Sequence, residues 1–228
     1  FDLVLLSICS LGWDDMDLFK MRDAPFMSRF DVLFTQFNSA ASYSGPAVLR
    51  LLHGTCGQGP QRSLYEAQPD ACFMFQGLAQ AGYKPALLMN HDGHFDNFST
   101  QLRDQGGMGV APADNRGAAV AMNGFDGAPI LSDFDVLSQW HAKHLRSAPG
   151  QRFALLYNSI TMHDGNRVPG IKSQLSENTF RPRLVKMFDE LERFFALLEN
   201  SGRPTVIVLV PEHGGAVRGD AMQISGLR

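Results

Sequence analysis

Long apolar runs, cysteine and surplus charge are all scarce in this chain. No stretch of its 228 residues approaches the roughly 18 consecutive apolar residues of a membrane-spanning helix, so nothing here reads as crossing a bilayer. Lys plus Arg number 20 against 23 Asp plus Glu, a net charge of -3. That balance excludes the basic surface of a nucleic-acid binder and the acidic tail of a solvating segment. With 44% hydrophobic and 19% charged residues, the composition is neither disordered nor disulfide-dense. The 3 cysteines cannot all pair. Cys56 and Cys72 flank a Gly/Gln/Pro/Arg-rich stretch of the kind a disulfide closes, and such a bond would mean an oxidising compartment. Cys9 would then be left over, either a small buried hydrophobe or a thiolate with a chemical role.

The length suits one domain. The chain opens without an initiator Met on Phe1-Asp2-Leu3-Val4-Leu5-Leu6-Ser7-Ile8, a buried-strand pattern with no leader before it. We therefore expect 1–228 to be a single domain cut from a longer protein, with any anchor upstream and further residues after Arg228. Continuous apolar runs suited to parallel strands recur at Ala86 to Met89, Phe153 to Asn158 and Thr205 to Val210, with a weaker strand at Asp31 to Phe37. Helical patterns lie between them, around Asp14 to Met21, Pro46 to His53, Phe73 to Ala81, Asp133 to Arg146 and Arg183 to Glu199. Gln105 to Pro129, rich in Gly, Ala, Asn and Asp, reads as a long surface excursion. Strand and helix alternate, which predicts an α/β fold: a mostly parallel sheet with helices on both faces.

Ligands of such sheets bind at the carboxyl ends of the strands. Four ends carry reactive side chains: Cys9 after the first strand, His91 to His94 after the Ala86 strand, Thr161-Met162-His163-Asp164 after the Phe153 strand, and Glu212-His213 after the Thr205 strand. Ser42-Tyr43-Ser44-Gly45-Pro46-Ala47 opens a helix, with Pro46 suited to its first turn and Ser44 beside the positive end of its dipole. Most of these residues have an ordinary reading as well. Ser44 is either an N-cap or a nucleophile, His163 either a hydrogen-bonded loop residue or a catalyst. His91-Asp92-Gly93-His94 is either a metal site or a β-turn with exposed imidazoles. His141, His144 and the set Arg181, Arg183, Lys186 and Arg193 read as solvated helix faces. Glu212-His213-Gly214-Gly215 is the least ordinary: two adjacent ligand-type side chains followed by a tight turn.

A thiolate, a carboxylate and an imidazole from different strand ends form a zinc-type donor set with one position open. If Ser44 fills that position, its hydroxyl is acidified into a nucleophile at neutral pH. Phosphoryl-type transfer through a phosphoserine-like intermediate follows. A Ser-His-Asp hydrolase fits less well, because the serine lacks the Gly-x-Ser-x-Gly elbow.

A strand ending in a metal ligand, a Ser opening a helix and an acid-His-Gly turn after a late strand resemble the alkaline phosphatase superfamily, especially its phosphoethanolamine transferases. Those enzymes usually place a carboxylate after the first strand and use Asp-His-Gly, where this chain has Cys9 and Glu212-His213-Gly214. With Phe37-Asn38-Ser39-Ala40-Ala41-Ser42-Tyr43-Ser44-Gly45-Pro46-Ala47 and the pair Cys56 and Cys72, that variant resembles the cellulose phosphoethanolamine transferases of bacteria. The resemblance implies an alkaline-phosphatase-like sandwich, Ser44 as nucleophile, and one zinc ion held by Cys9, Glu212 and His213 with the Ser44 oxygen. It further implies a Cys56 to Cys72 disulfide in a periplasmic domain anchored to the inner membrane. His163, Tyr43 and Arg228 would line the phosphate pocket. The implied donor is phosphatidylethanolamine, the implied acceptor a glucose hydroxyl of cellulose, and the implied neighbour the cellulose synthase complex. Two other readings stand beside it, a phosphatase or sulfatase-type hydrolase using a second metal at His91, Asp92 and His94, and transfer to another acceptor such as lipid A.

Overall fold

The computed structural model describes residues 1–39, 41–147, 150–215 and 217; Arg228 lies outside them. In chain order the principal elements are β1 (Asp2–Ile8), α1 (Trp13–Leu18), α2 (Ser44–Leu52), α3 (Met74–Gln80), β2 (Tyr83–Met89), the single turn α4 (Phe98–Thr100), β3 (Val120–Asn123), β4 (Pro129–Leu131), α5 (Asp133–His144), β5 (Arg152–Ser159), α6 (Ser176–Asn200) and β6 (Thr205–Pro211). The strands β2, β5, β1 and β6 form one parallel sheet in that spatial order. All four carboxyl ends therefore open on one side of the molecule.

The apolar runs of β1, β2 and β5 are continuous because both faces of the sheet are covered there, whereas Val206 and Val208 of the edge strand β6 are exposed. Val4, Leu6 and Ile8 of β1, with Leu155 and Tyr157 of β5, pack against Phe180, Leu184, Met187, Leu191 and Phe194 of α6. Leu5, Ala154, Leu156, Leu87 and Met89 face the opposite side, against Val48 and Leu52 of α2 and Phe75 of α3. The period-two alternation of the pleat thus divides β1, β2 and β5 between two cores. None of the described helices is long and apolar enough to cross a membrane.

Several sequence expectations need correction. Asp31 to Phe37 forms no strand: no ladder holds it, and Val32 and Phe34 are 67% and 74% exposed. It flanks an apolar groove of about 1010 Å³ that runs along β6 to His213. The excursion from Gln105 to Pro129 is not merely surface. It carries β3, which pairs with β4 as an antiparallel hairpin, and Ala113 donates to the Leu87 carbonyl at the free edge of β2 (2.8 Å). Helix α6 begins at Ser176, so Pro182 lies within it although it withholds one ladder bond.

The expected solvated faces are partly buried. Arg183 is only 1% exposed and donates to the His163 carbonyl (2.7 Å). His144 is buried and donates from Nε2 to Asp2 (3.0 Å). Burial would push the Asp2 carboxyl up, but bonds from Arg203, the Phe153 N–H and His144 hold it below the ordinary value. His141 is also buried, near His144 and Phe194, and neither of its ring nitrogens has a hydrogen-bond partner among the described residues. Charge patterning on a helix misleads here because α5 and α6 pack on the sheet and on each other.

Cys56 and Cys72 are bonded, closing a loop of 16 positions. A loop of that length is worth about 3 kcal/mol in the unfolded-chain model, and each kcal/mol moves Tm by about 2–4 °C in a domain of this size. Reduction, or the Cys56→Ser/Cys72→Ser pair, should lower Tm by roughly 6–12 °C in calorimetry. An unchanged Tm would remove the bond from the account of stability.

Burial lowers the pKa of both His141 and His144 from 6.5. As pH falls through that value the unfolded chain takes up protons that the folded chain refuses, so stability drops. Tm should therefore fall between pH 7.5 and 5.5, and His141→Phe, which removes one such group, should flatten the slope. A variant with the full parental slope would show that His141 does not contribute.

Candidate active site

Three chain segments meet at the carboxyl end of the sheet. The Cys9 N–H continues the ladder to the Ser159 carbonyl (3.0 Å), and the Glu212 N–H donates to the Ile8 carbonyl (2.9 Å), so the two residues lie on adjacent strand ends. Immediately after Cys9 the backbone turns through Ser10 at φ 56°, a left-handed conformation that a non-glycine residue rarely adopts. The turn lets the loop pass close to the last one: a Cβ on Gly12 would lie 3.2 Å from Gly214 Cα. Buried Asp15 of α1 joins the two loops, accepting from the Gly215 N–H (2.6 Å). Burial raises its pKa to about 6.

Ser44 is the first residue of α2, and the cap position belongs to Tyr43, whose side chain makes no capping bond. The N-cap reading of Ser44 is therefore wrong. Its Oγ lies 3.3 Å from Cys9 Sγ and 3.3 Å from His213 Nε2, and the sulfur and that nitrogen are 3.6 Å apart. His213 Nδ1 is 2.8 Å from the Gly214 carbonyl, which can only accept, so Nδ1 carries the proton and Nε2 presents its lone pair to the cluster.

Glu212 is 3% exposed and Cys9 fully buried. Burial raises both pKa values, and the neighbouring Glu212 raises that of Cys9 further. Glu212 Oε1 accepts from Ser7 Oγ (2.9 Å) and from the Asn158 amide, whereas Oε2 is buried with no hydrogen-bond partner among the described residues. One donor atom each from Cys9, Glu212 and His213 lie within 4.8 Å of one another. A buried thiol and carboxyl side by side, one oxygen unsatisfied, cost stability unless a cation neutralises them. The sulfur, oxygen and nitrogen donors fit such an ion.

The loop after β5 brings His163 to the same end. Its Nδ1 donates to the Asp164 carbonyl (2.6 Å), and its ring stacks on Phe125 at 4.8 Å. Burial lowers its pKa. Arg183 supports this loop from inside through the His163 carbonyl, its own pKa pushed down by burial to about 10. Asp133, fully buried, accepts from Tyr157, Ser159, Thr161 and Asn90 at 2.5, 2.7, 2.6 and 3.1 Å and fixes the loop's start. Tyr43 is 58% exposed. His91 and His94 do not join the cluster. His91 Nε2 is bonded to Asn158 Oδ1 (2.9 Å) and its Nδ1 accepts the Gly93 N–H (3.2 Å), while His94 is exposed beside Asp92. Ser7, Asp15, Asp133, Asn158 and Arg183 were missed as site residues; their signal is a polar group inside or beside an apolar run.

The description "Cellulose biosynthesis protein BcsG C-terminal domain" belongs to a family model that matches residues 1–228. The cellulose biosynthesis protein BcsG of Salmonella typhimurium is 43% identical over 228 residues, all of this chain but 40% of that protein, so the chain spans about two-fifths of the curated relative it matches. Among solved structures, a protein in the alkaline phosphatase superfamily from Vibrio parahaemolyticus superposes with TM-score 0.68 at 17% identity, over 93% of this chain and 54% of that one. The C-terminal periplasmic domain of phosphoethanolamine transferase EptC from Campylobacter jejuni does so with TM-score 0.58 at 12% identity, over 93% and 69%. These likenesses show the fold, an alkaline-phosphatase-like α/β architecture. With the family match covering every residue from 1 to 228, the chain belongs to the BcsG family of cellulose biosynthesis proteins.

Proposed function

We propose that this domain transfers phosphoethanolamine from phosphatidylethanolamine to a glucose hydroxyl of cellulose through a covalent Ser44 intermediate, with one zinc ion held by Cys9, Glu212 and His213. The observation that carries the reading is the position of Ser44 Oγ. Free of any capping role, it lies 3.3 Å from both Cys9 Sγ and His213 Nε2, at the positive end of a nine-residue helix. Family membership supports the link to cellulose, and the fold shared with EptC supports the group transferred. A periplasmic setting agrees with the Cys56 to Cys72 bond.

Bound zinc supplies Lewis-acid charge that acidifies the Ser44 hydroxyl and offsets negative charge on the phosphoryl oxygens. Ser44 Oγ attacks phosphorus, the bond from phosphorus to the glycerol oxygen breaks, and diacylglycerol leaves with a proton. The acceptor hydroxyl then attacks phosphorus of the Ser44 phosphoethanolamine ester, the bond from phosphorus to Ser44 Oγ breaks, and the acceptor's proton returns to Ser44 Oγ. The amino end of α2 faces the developing anion. His163, its Nδ1 proton held by the Asp164 carbonyl, offers the Nε2 lone pair to the proton in transit and can donate to the phosphate once it holds that proton. Tyr43 would border the pocket. The described residues gather one donor cluster, Cys9, Glu212 and His213, which favours a single-metal transferase over a two-metal hydrolase.

Ser44→Ala should melt with the parent and lose at least about 10³-fold in transfer, as removal of a nucleophile does. Cys9→Ala should lose its zinc by elemental analysis. The parent should hold one zinc per chain after dialysis, and a parent with none, or a Ser44→Ala variant with normal turnover, would sink the reading.

A further inference from the structure

Glu212 is held by a chain of hydrogen bonds that crosses the whole sheet. The Gly93 N–H is a donor only, so His91 Nδ1 beside it (3.2 Å) carries the lone pair and Nε2 the proton. Nε2 then donates to Asn158 Oδ1 (2.9 Å), which fixes the orientation of that amide and turns Nδ2 toward Glu212 Oε1. Ser7 Oγ donates to the same oxygen (2.9 Å). Ser7 and Asn158 are register partners on β1 and β5, and Asn158 is the partner of Met89 at the end of β2. Each of the four parallel strands thus supplies or leads into one member.

Ser7 and Asn158 are 0% and 1% exposed, on strands whose buried residues are apolar apart from these two, Asp2, Ser159 and the Tyr157 hydroxyl. An amide there is costly unless every bond is made. Here the bonds are made, and they end on a carboxylate with one oxygen saturated and the other, Oε2, buried and unpartnered. Packing alone does not require that asymmetry.

We propose that Asn158 and His91 are positioning residues for Glu212: by saturating Oε1 they fix the rotation of the carboxylate and leave Oε2 as its single donor to the cation. The inference rests on the metal site proposed above. His91, read from sequence as a candidate ligand of a second metal, instead acts through Asn158 on the first.

The test is zinc affinity of the purified domain by chelator competition, together with the absorption spectrum of the Co²⁺-substituted protein and the Tm of the metal-free form. Outer-shell partners of metal ligands commonly contribute about 10–100-fold in affinity. Asn158→Leu should weaken zinc binding within that range and alter the Co²⁺ bands. His91→Phe, which keeps the ring but removes the donor, should shift both in the same direction. His91→Gln, whose amide can donate to Asn158 Oδ1, should restore them. Zinc affinity and Co²⁺ bands like the parent's in both Asn158→Leu and His91→Phe would overturn the proposal, even if metal-free Tm fell, because the network would then serve only packing. Should Asn158→Leu fail to fold, equal affinities for His91→Phe and His91→Gln would overturn it equally. A parent that binds no zinc sinks the metal site and this inference together, whereas a parent that binds zinc with indifferent variants sinks the inference alone.

Discussion

A thiol and a carboxyl group buried against each other at the end of a parallel sheet are the constraint around which this domain is arranged. Neither Cys9 nor Glu212 reaches bulk water, and burial raises the pKa of both. Burial thus disfavours the ionised form of both groups, the form in which they would bind a metal, and a divalent cation would offset that cost. Metal binding would release protons and couple to the stability of the strand ends that carry the donors.

The sheet makes this possible because it is parallel. All strands end on the same side, so residues far apart in sequence, Ser7, Asn158 and Glu212, become neighbours without any long side chain having to reach. The helices then do different work. α2 brings Ser44 to the cluster by its first residue, and α6 supplies Arg183, whose buried guanidinium ties down the carbonyl of His163. A guanidinium suits that place because its several N–H groups can bond more than one backbone carbonyl, here those of His163 and Thr179.

Where the sequence was legible, one principle did most of the reading: reactive side chains just past apolar runs lie at strand ends. Cys9, His163, Glu212 and His213 follow from it, and the four sheet strands follow from the runs themselves. Ser44 was visible but ambiguous, since Ser at a helix start is commonly a cap; the structure gives the cap position to Tyr43 and sets the Ser44 hydroxyl beside Cys9 and His213. His141, His144 and Arg183 were misread because helical periodicity ranks residues by polarity, while burial is set by what packs on the helix. Asp31 to Phe37 looked like a strand by composition, but a strand exists only where a neighbour takes its backbone bonds. Asn158 was hidden inside a run counted as apolar. Its signal was available, a buried-strand amide one position before a serine at the end where Ser7 and Cys9 also lie, yet only the register of the two strands gives it meaning.

That register also explains why a cysteine is tolerable at this site. A thiolate and a carboxylate are both anionic when bound to metal, and only the neutral imidazole of His213 dilutes them. Further carboxylates would add charge that the buried end of the sheet could not disperse. The surrounding groups are instead neutral donors, the Ser7 hydroxyl and the Asn158 amide on Glu212 and the Ser10 hydroxyl 3.4 Å from Cys9 Sγ. They can disperse negative charge without contributing any, and Ser44 Oγ is the hydroxyl held within reach of both the sulfur and the imidazole.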